Sequence, residues 1–275
     1  MTTFRASAAF TPSWNHFDFR VADNVGIITF GRPEKLGALT FEAYADLRDL
    51  LAELPHRGDV RVLVITGTGR GFCSGGDVEA IIGALRTMDT DGLLEFTRMT
   101  GAVVKALRDV HLPVIAAVNG IAAGAGAVIA LAADLRLCAR SASFAFLFTQ
   151  VGLAGADMGS AYLLPRIVGL GRATELLLLA ERVDAEHALR IGLATSVVDD
   201  DALADAAGAL AQRLATGPFM AYAATKSLLT RELDMDLSGA LETEAITQAL
   251  LMHTQDYAEF HAAWTEGRTP RWSGR

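Results

Sequence analysis

Two glycine-rich turns, each directly after a short apolar run, restrict the possible folds of this chain more than any other feature. The runs are residues 60–66 and 114–118, and both are rich in β-branched residues. Runs of this kind are typical of strands buried on both faces of a parallel sheet. Glycines crowd the segments 67–76 and 120–126 that follow. Because glycine lacks a Cβ, these turns can approach other backbone closely.

The remaining pattern also favours an α/β chain. Alternating runs at 16–20 and 25–30, with turn residues between them, predict a hairpin. Thr40 is the expected N-cap of a helix that ends near residue 54. Further helices are expected at 93–109 and 124–133, and a strand at 135–139. Strands and helices that alternate in this way indicate a parallel sheet.

Helical periodicity dominates after residue 172, and a Gly-Pro pair at 217–218 separates two of the helices. Helices are expected at 173–180, 185–191, 202–216, 220–233, 237–252 and 258–266. We therefore predict an N-terminal lead-in at 1–15, a core at 16–195 and a C-terminal helical region at 196–275.

Composition excludes several classes of protein. A hydrophobic share of 51% with 20% charged residues supports a large ordered core. A net charge of −8 argues against nucleic acid, including RNA, and against an anionic membrane surface as partners. Only two cysteines occur, without metal-like spacing, so we expect no metal site and a reducing, cytoplasmic location. The apolar stretch 114–133 has the length of a membrane span, but Asn119 and several glycines interrupt it.

The two turns also offer groups that suit catalysis. Both present backbone N–H groups, and the second opens a helix, whose first N–H groups lack intrahelical partners. Two such donors that converge on one carbonyl oxygen would form an oxyanion hole. In a thioester this would acidify the α-carbon. The alternative is that the glycines serve packing alone.

Five segments resemble the enoyl-CoA hydratase/isomerase (crotonase) family. They are RPEKLGAL at 32–39, GRGFCSGGD at 69–77, the stretch 112–139, the stretch 151–173, and residues 256–268. The resemblance covers about residues 16–270. It implies an α/β fold with a crotonase-like ββα-spiral core and a C-terminal α-helical region that serves in trimerisation or as a lid. It also implies an acyl-CoA thioester substrate, a role in fatty acid metabolism, and a homotrimer or hexamer. No cofactor is expected beyond the coenzyme A that belongs to the substrate.

The resemblance also assigns residues. It implies that the backbone N–H groups of Gly76 and Ala125 are the oxyanion donors. Positions that would contact the substrate or coenzyme A are Arg32, Lys35, Ala38, Gly75, Asp77, Val128, Phe148 and Trp264. Other roles remain open for some of them, namely surface charge for the two cations, loop capping for Asp77 and helix packing for Trp264. Asp134 is also expected to cap or pin a loop. Cys73 and Ser74 lie beside the first turn, but the sequence places no histidine to activate them.

The chain departs from the family's hydratases at two positions. Those enzymes carry two glutamates that handle water and its proton, and the matching positions here are Val128 and Phe148. Neither side chain can transfer a proton. Two-carboxylate hydration is therefore not implied for this chain.

Asp157 offers a different carboxylate. The resemblance places it where several isomerases of the family carry a catalytic aspartate, which would move a proton between the α- and γ-carbons of an enoyl thioester. The alternative is an N-cap or first-turn acid of a helix that begins at Met158; both roles could coexist. The overall resemblance favours the general description enoyl-CoA hydratase, whereas these residues favour isomerisation or another enolate reaction with Asp157 as acid/base. Hydration through Asp157 and an ordered water, and a non-catalytic acyl-CoA binder that lacks the glutamates, stay open.

Overall fold

The structure, a computed structural model, describes residues 9–274. Positions 1–8 of the predicted lead-in, and residue 275, lie outside the described residues. Between residues 9 and 274, no helix has both the length and the apolar character needed to cross a membrane.

Strands and helices alternate through the first two thirds of the described chain, and helices dominate the last third. The strands of residues 9–274 are β1 (Asp18–Ala22), β2 (Val25–Phe30), β3 (Val62–Gly67), β4 (Gly71–Cys73), β5 (Val114–Val118), β6 (Ile121–Ala123), β7 (Leu135–Ala139), β8 (Ser143–Ala145), β9 (Val183–Asp184) and β10 (Ser196–Val198). The α-helices are α1 (Phe41–Arg57), α2 (Gly83–Leu85), α3 (Thr90–Asp109), α4 (Ala125–Ala132), α5 (Ser160–Val168), α6 (Leu170–Leu179), α7 (Ala185–Arg190), α8 (Leu203–Ala215), α9 (Phe219–Arg231), α10 (Leu237–Leu251) and α11 (Gln255–Glu266). A π-helical turn (Val78–Ile82) precedes α2.

The strands form two sheets. The larger has the order β1-β2-β3-β5-β7-β10, and all its pairs are parallel except the β1–β2 hairpin. The smaller has the order β4-β6-β8-β9, parallel except for its last pair. Three successive units, β3-β4-α3, β5-β6-α4 and β7-β8-α5, each place their first strand in the larger sheet and their second in the smaller one. This repeat confirms the predicted α/β, ββα-spiral core with a C-terminal helical region.

Most long elements match their predictions, and the short ones differ. The apolar runs at 114–118 and 135–139 are strands with the predicted bounds. Thr40 caps α1, since its hydroxyl accepts from the Ala43 N–H at 3.3 Å. Strands β4, β6 and β8 were not predicted, because runs of three residues show no clear periodicity. The larger sheet also extends past the predicted core boundary at 195, because β10 pairs with β7.

The two glycine-rich turns touch through their backbones. A Cβ on Gly126, in the first turn of α4, would lie 2.0 Å from the Cys73 carbonyl oxygen. Gly75 has a φ of +95°, and a Cβ there would lie 3.0 Å from the Ala123 oxygen and 3.3 Å from the Ala125 nitrogen. The two backbones therefore pack directly on each other, and the Asn119 side chain adds hydrogen bonds from the start of the second turn to the backbone of the first.

A buried ion pair attaches α9 to this core. Lys226 is 7% exposed, and its Nζ donates to the carbonyl oxygens of Leu107 and Leu112, both at 2.9 Å. The same Nζ lies 2.8 Å from the carboxylate of Asp134, which also accepts from the Val114 N–H. Asp134 therefore pins the start of β5 and the C-terminal helices together, as expected from the sequence.

Replacing Gly126 by Ala tests the backbone contact. The new methyl group would collide with the Cys73 carbonyl, so we expect a destabilisation of about 1–3 kcal/mol or more and loss of ligand binding at the turn. Thermal unfolding checks this. The matched control is Gly101→Ala in α3, where no atom lies within 4 Å of the added Cβ and stability should be unchanged or higher. Equal melting temperatures for both variants would contradict the packing described.

Lys226→Met tests the buried ion pair. The variant leaves two buried carbonyl groups without their donor and removes one of the two cations beside Asp134, which keeps Arg108 at 3.2 Å, so we expect a loss of about 1–3 kcal/mol in the free energy of unfolding. Chemical denaturation at fixed protein concentration measures it. Lys105→Met is the control, because the Lys105–Asp109 pair is exposed and its loss should cost less than about 1 kcal/mol. A small effect in both variants would show that α9 does not depend on this contact.

Candidate active site

A cavity of about 190 Å³ opens beside the two glycine-rich turns. Gly75 and Gly76 of the first turn, and Gly124 and Ala125 of the second, form one wall. The segment 147–158 forms another wall and contributes Asp157. Side chains from α1, α3 and the π-helical turn complete a mostly apolar lining. The cavity therefore combines backbone donors, one carboxylate and an apolar surface.

Two amide N–H groups on the first wall are available to a ligand. The residues on either side of Gly76 bond to the backbone of Leu39. The Leu39 N–H donates to the Gly75 oxygen at 2.8 Å, and the Asp77 N–H donates to the Leu39 oxygen at 2.9 Å. The Gly76 N–H itself donates to no acceptor in residues 9–274. Ala125 is the first residue of α4, so its N–H has no intrahelical acceptor. The structure thus brings both predicted donors to one cavity.

Asp157 lies on the cavity with half of its carboxylate free. Its Oδ1 accepts from the Met158 N–H at 2.8 Å, and no hydrogen bond within the described residues reaches Oδ2. The loop is fixed by Ser160, whose Oγ accepts from the Asp157 N–H (3.1 Å) and donates to the Gly155 oxygen (2.7 Å). Ser160 thus anchors the loop that carries Asp157.

The helix-cap interpretation of Asp157 is wrong. Helix α5 begins at Ser160 and not at Met158, and its N-cap is Gly159. Met158 and Gly159 both have positive φ, 50° and 89°, so the chain turns sharply between Asp157 and the helix. Asp157 therefore precedes the helix by three residues, and its side chain caps none of the helix N–H groups, although its backbone oxygen accepts from the Ser160 N–H at 2.8 Å.

Burial raises the pKa of the Asp157 carboxyl, and the hydrogen bond from the Met158 N–H only partly opposes this. A carboxylate with a raised pKa is a stronger base than an exposed one. It can also carry a proton long enough to return it. Both properties suit a group that accepts and then donates the same proton.

The two residues at the positions of the hydratase glutamates lie in different surroundings. Phe148 lines the cavity, whereas Val128 is fully buried within α4 and is not part of the lining. Asp157 is the one carboxylate among the described lining residues. The substrate contact predicted for Val128 stays a prediction, although the structure places its side chain in the core.

The cations near the first turn are engaged by protein groups. Arg32 donates to Asp77 (2.5 Å) and to the Ala38 carbonyl (2.9 Å), and Lys35 donates to Asp77 (3.0 Å) and Glu79 (2.8 Å). Asp77 is 3% exposed and caps the π-helical turn through the N–H groups of residues 79 and 80. The bond from the residue 80 N–H, together with the two cations, holds the Asp77 pKa well below its usual range. This cluster shapes the first turn, and its contact with coenzyme A stays a prediction.

The remaining candidates lie apart from the cavity, except Ser74, which lines it. Trp264 is 78% exposed on α11, next to Phe260, and the single chain does not bring it to the cavity. Cys73 is fully buried, which raises the pKa of its thiol to about 12 and argues against a nucleophile. The Ser74 hydroxyl donates to the Lys35 carbonyl oxygen. Within residues 9–274 no cluster of His, Cys, Asp or Glu could hold a metal ion.

Several cavity residues were missed from the sequence, and three of them lie on the long helices: Tyr44 on α1, and Phe96 and Thr100 on α3. Each matches the apolar face of its amphipathic helix and is therefore indistinguishable from a core residue. No sequence signal separates a cavity wall from a packed core at these positions.

Comparison with known proteins places this site in a family. Residues 20–275 match the family model described as enoyl-CoA hydratase/isomerase. The chain is 36% identical to 1,2-epoxyphenylacetyl-CoA isomerase of Escherichia coli over 260 residues, covering 93% of this chain and 97% of that one. It is 38% identical to a probable enoyl-CoA hydratase of Rhodobacter capsulatus over 265 residues, covering 96% and 100%.

Comparison with a solved structure indicates the same family. A protein of Streptomyces coelicolor A3(2), provisionally assigned as an enoyl-CoA hydratase, is 61% identical and superposes with a TM-score of 0.98 over 100% of both chains. The match in sequence and fold extends across nearly the whole chain and is therefore sufficient to assign the family. This chain belongs to the enoyl-CoA hydratase/isomerase family of acyl-CoA-processing enzymes.

Proposed function

We propose that this enzyme isomerises the double bond of an enoyl-CoA thioester, with Asp157 as its single acid/base. One observation carries the proposal. The free half of the Asp157 carboxylate lies on the same cavity as two available amide donors, and no second carboxylate lies there. The name of the Escherichia coli relative, an isomerase of an acyl-CoA, supports it.

The proposed reaction begins with the thioester oxygen bound by the N–H groups of Gly76 and Ala125. Asp157 accepts a proton from the α-carbon of a 3-enoyl thioester. The electron pair of that C–H bond moves into the carbonyl, and the two N–H groups stabilise the resulting enolate oxygen. Asp157 then returns the proton to the γ-carbon, and the double bond ends between the α- and β-carbons. No atom is gained or lost.

Hydration is less well supported by this site. It requires groups that orient water and move its proton, and the apolar Phe148 and the buried Val128 provide none. The non-catalytic binder is also disfavoured, because Asp157 is held at the cavity with a raised pKa and without a structural partner for Oδ2. Hydration through Asp157 and an ordered water is kept as an outcome of the experiment below.

We also propose that the chain assembles as a homotrimer or hexamer. Helix α10 has no buried residue, and its exposed apolar side chains continue onto α9 and α11. They include Leu229, Leu237, Leu241, Ile246, Leu250, Tyr257, Phe260 and Trp264. An exposed apolar surface of this extent is typical of a protein interface. We propose no cofactor besides the coenzyme A of the substrate, and a cytoplasmic location.

Asp157→Asn tests the proposed base. The amide keeps the acceptor for the Met158 N–H but cannot take a proton, so we expect isomerisation to fall about 10²–10⁴-fold. Incubation of 3-enoyl-CoA in deuterated water, followed by mass and ultraviolet absorbance, measures double-bond migration and deuterium uptake together. If the wild-type enzyme adds water to the thioester, hydration replaces isomerisation as its function. Full activity in the variant, or binding without any exchange in the wild type, would contradict the proposal.

The raised pKa of Asp157 predicts a pH dependence. The base acts as its carboxylate, so kcat/KM should rise with pH through an apparent pKa above the usual aspartate value, and the acidic limb should vanish in Asp157→Asn. A pH–rate profile measures this, and a flat profile in the wild type would contradict it. Because the folded-state pKa is raised, the stability that Asp157 contributes is present at acid pH and lost as pH rises through that pKa. The variant should therefore be at least as thermostable at neutral pH.

A further inference from the structure

Tyr44 is a buried polar side chain whose hydroxyl has no protein partner. It is 2% exposed and lines the cavity from α1. Among residues 9–274 its Oη makes no hydrogen bond. The described side-chain atoms that are both inaccessible and unpartnered are Trp14 Nε1, Arg108 Nε and Glu232 Oε1. Since Tyr44 Oη is not one of them, this oxygen keeps accessible area and faces the cavity.

The other hydroxyls of the cavity are satisfied. Ser74 donates to the Lys35 carbonyl, and Thr100 donates to the Thr97 carbonyl, both at 3.0 Å. A buried tyrosine hydroxyl ordinarily finds a partner. Because Tyr44 Oη keeps accessible area, a ligand in the cavity can supply the partner that the described residues do not. Phenylalanine would provide the same packing without a hydroxyl, so a ligand explains this hydroxyl better than packing does.

The surroundings of Tyr44 fix its orientation and its protonation state. Its ring lies edge-on to Phe96, with centroids 6.0 Å apart, and Phe96 lies edge-on to Phe41. Burial, with smaller contributions from the nearby Cys73 and Asp157, raises the pKa of the phenol well above its usual value. The hydroxyl thus stays protonated and able to donate at any physiological pH.

The charge of the cavity restricts what this donor can meet. No Lys, Arg or His is among the described lining residues, and Asp157 is present. An anionic group on the ligand would lie near the Asp157 carboxylate without a cation to balance it. A neutral oxygen has no such penalty, and the rest of the lining is suited to hydrocarbon.

We propose that Tyr44 donates a hydrogen bond to a neutral oxygen carried by the acyl group, so that the enzyme prefers oxygenated acyl-CoA thioesters over plain hydrocarbon ones. This oxygen is a hydroxyl, keto or ether-type oxygen on the chain, distinct from the thioester carbonyl. The inference deepens the proposed function and depends on the same cavity binding the acyl group. Tyr44 then determines specificity, and Asp157 remains the group that moves the proton.

The experiment compares 3-enoyl-CoA thioesters of equal chain length. One is a hydrocarbon, and the others carry a single hydroxyl or keto oxygen on successive carbons. Wild type, Tyr44→Phe and Tyr162→Phe are assayed for kcat/KM and for Kd by calorimetry. Tyr162→Phe is the matched control, because its hydroxyl bonds to Asp234 on the surface.

We expect Tyr44→Phe to lower kcat/KM for the best oxygenated thioester roughly 10–100-fold, and to change the hydrocarbon value less than about threefold. The control should leave both values unchanged, and Tyr44→Phe should unfold at the same or a higher temperature than wild type. The proposal would be overturned if Tyr44→Phe lost kcat/KM equally for all thioesters, lost it for none, or melted at a lower temperature than wild type. If the wild type turns over none of them, the proposed isomerisation fails, while the ratio of Kd values still decides the role of Tyr44.

Discussion

The contact between two backbone turns is the constraint on which the rest of this site depends. Strands β4 and β6 pair in parallel, with Gly71 opposite Ile121 and Cys73 opposite Ala122. Gly126 then packs on the Cys73 carbonyl, where any Cβ would collide. Because the two backbones pack directly on each other at these glycines, Gly76 and Ala125 both line the same cavity. The proposed thioester-binding wall is therefore formed by backbone amides rather than by side chains.

Side chains on the other walls then determine the chemistry. Valine and phenylalanine at positions 128 and 148 remove the two groups on which hydratases of the family depend. Asp157 remains at the cavity, on a loop that Ser160 anchors, with Oδ1 bound and with no hydrogen bond to Oδ2 among the described residues. An apolar lining raises its pKa, which favours a base that also returns its proton. Tyr44 adds a donor for the part of the substrate that does not react.

The sequence predicted the features that local pattern determines. The short runs 114–118 and 135–139 indicated strands, which the structure confirms, and the ordered motifs indicated the family. Strands β4, β6 and β8 are too short to show a period, and the glycines beside β4 and β6 predict turns equally well. The cap interpretation of Asp157 failed because Met158 and Gly159 turn the chain before α5 begins. Tyr44 was missed because its distinguishing feature, a hydroxyl without a partner, exists only in the tertiary structure.

The central claim is that one thioester lies against the two amides with its α-carbon beside Asp157. A crystal structure of the Asp157→Asn enzyme with a bound 3-enoyl-CoA tests it most directly. The account predicts the thioester oxygen about 2.7–3.1 Å from the nitrogens of both Gly76 and Ala125. It also predicts the substituted side chain at position 157 within about 3–3.5 Å of the α-carbon and facing the γ-carbon. A thioester oxygen directed away from either amide, or an α-carbon out of reach of position 157, would contradict it.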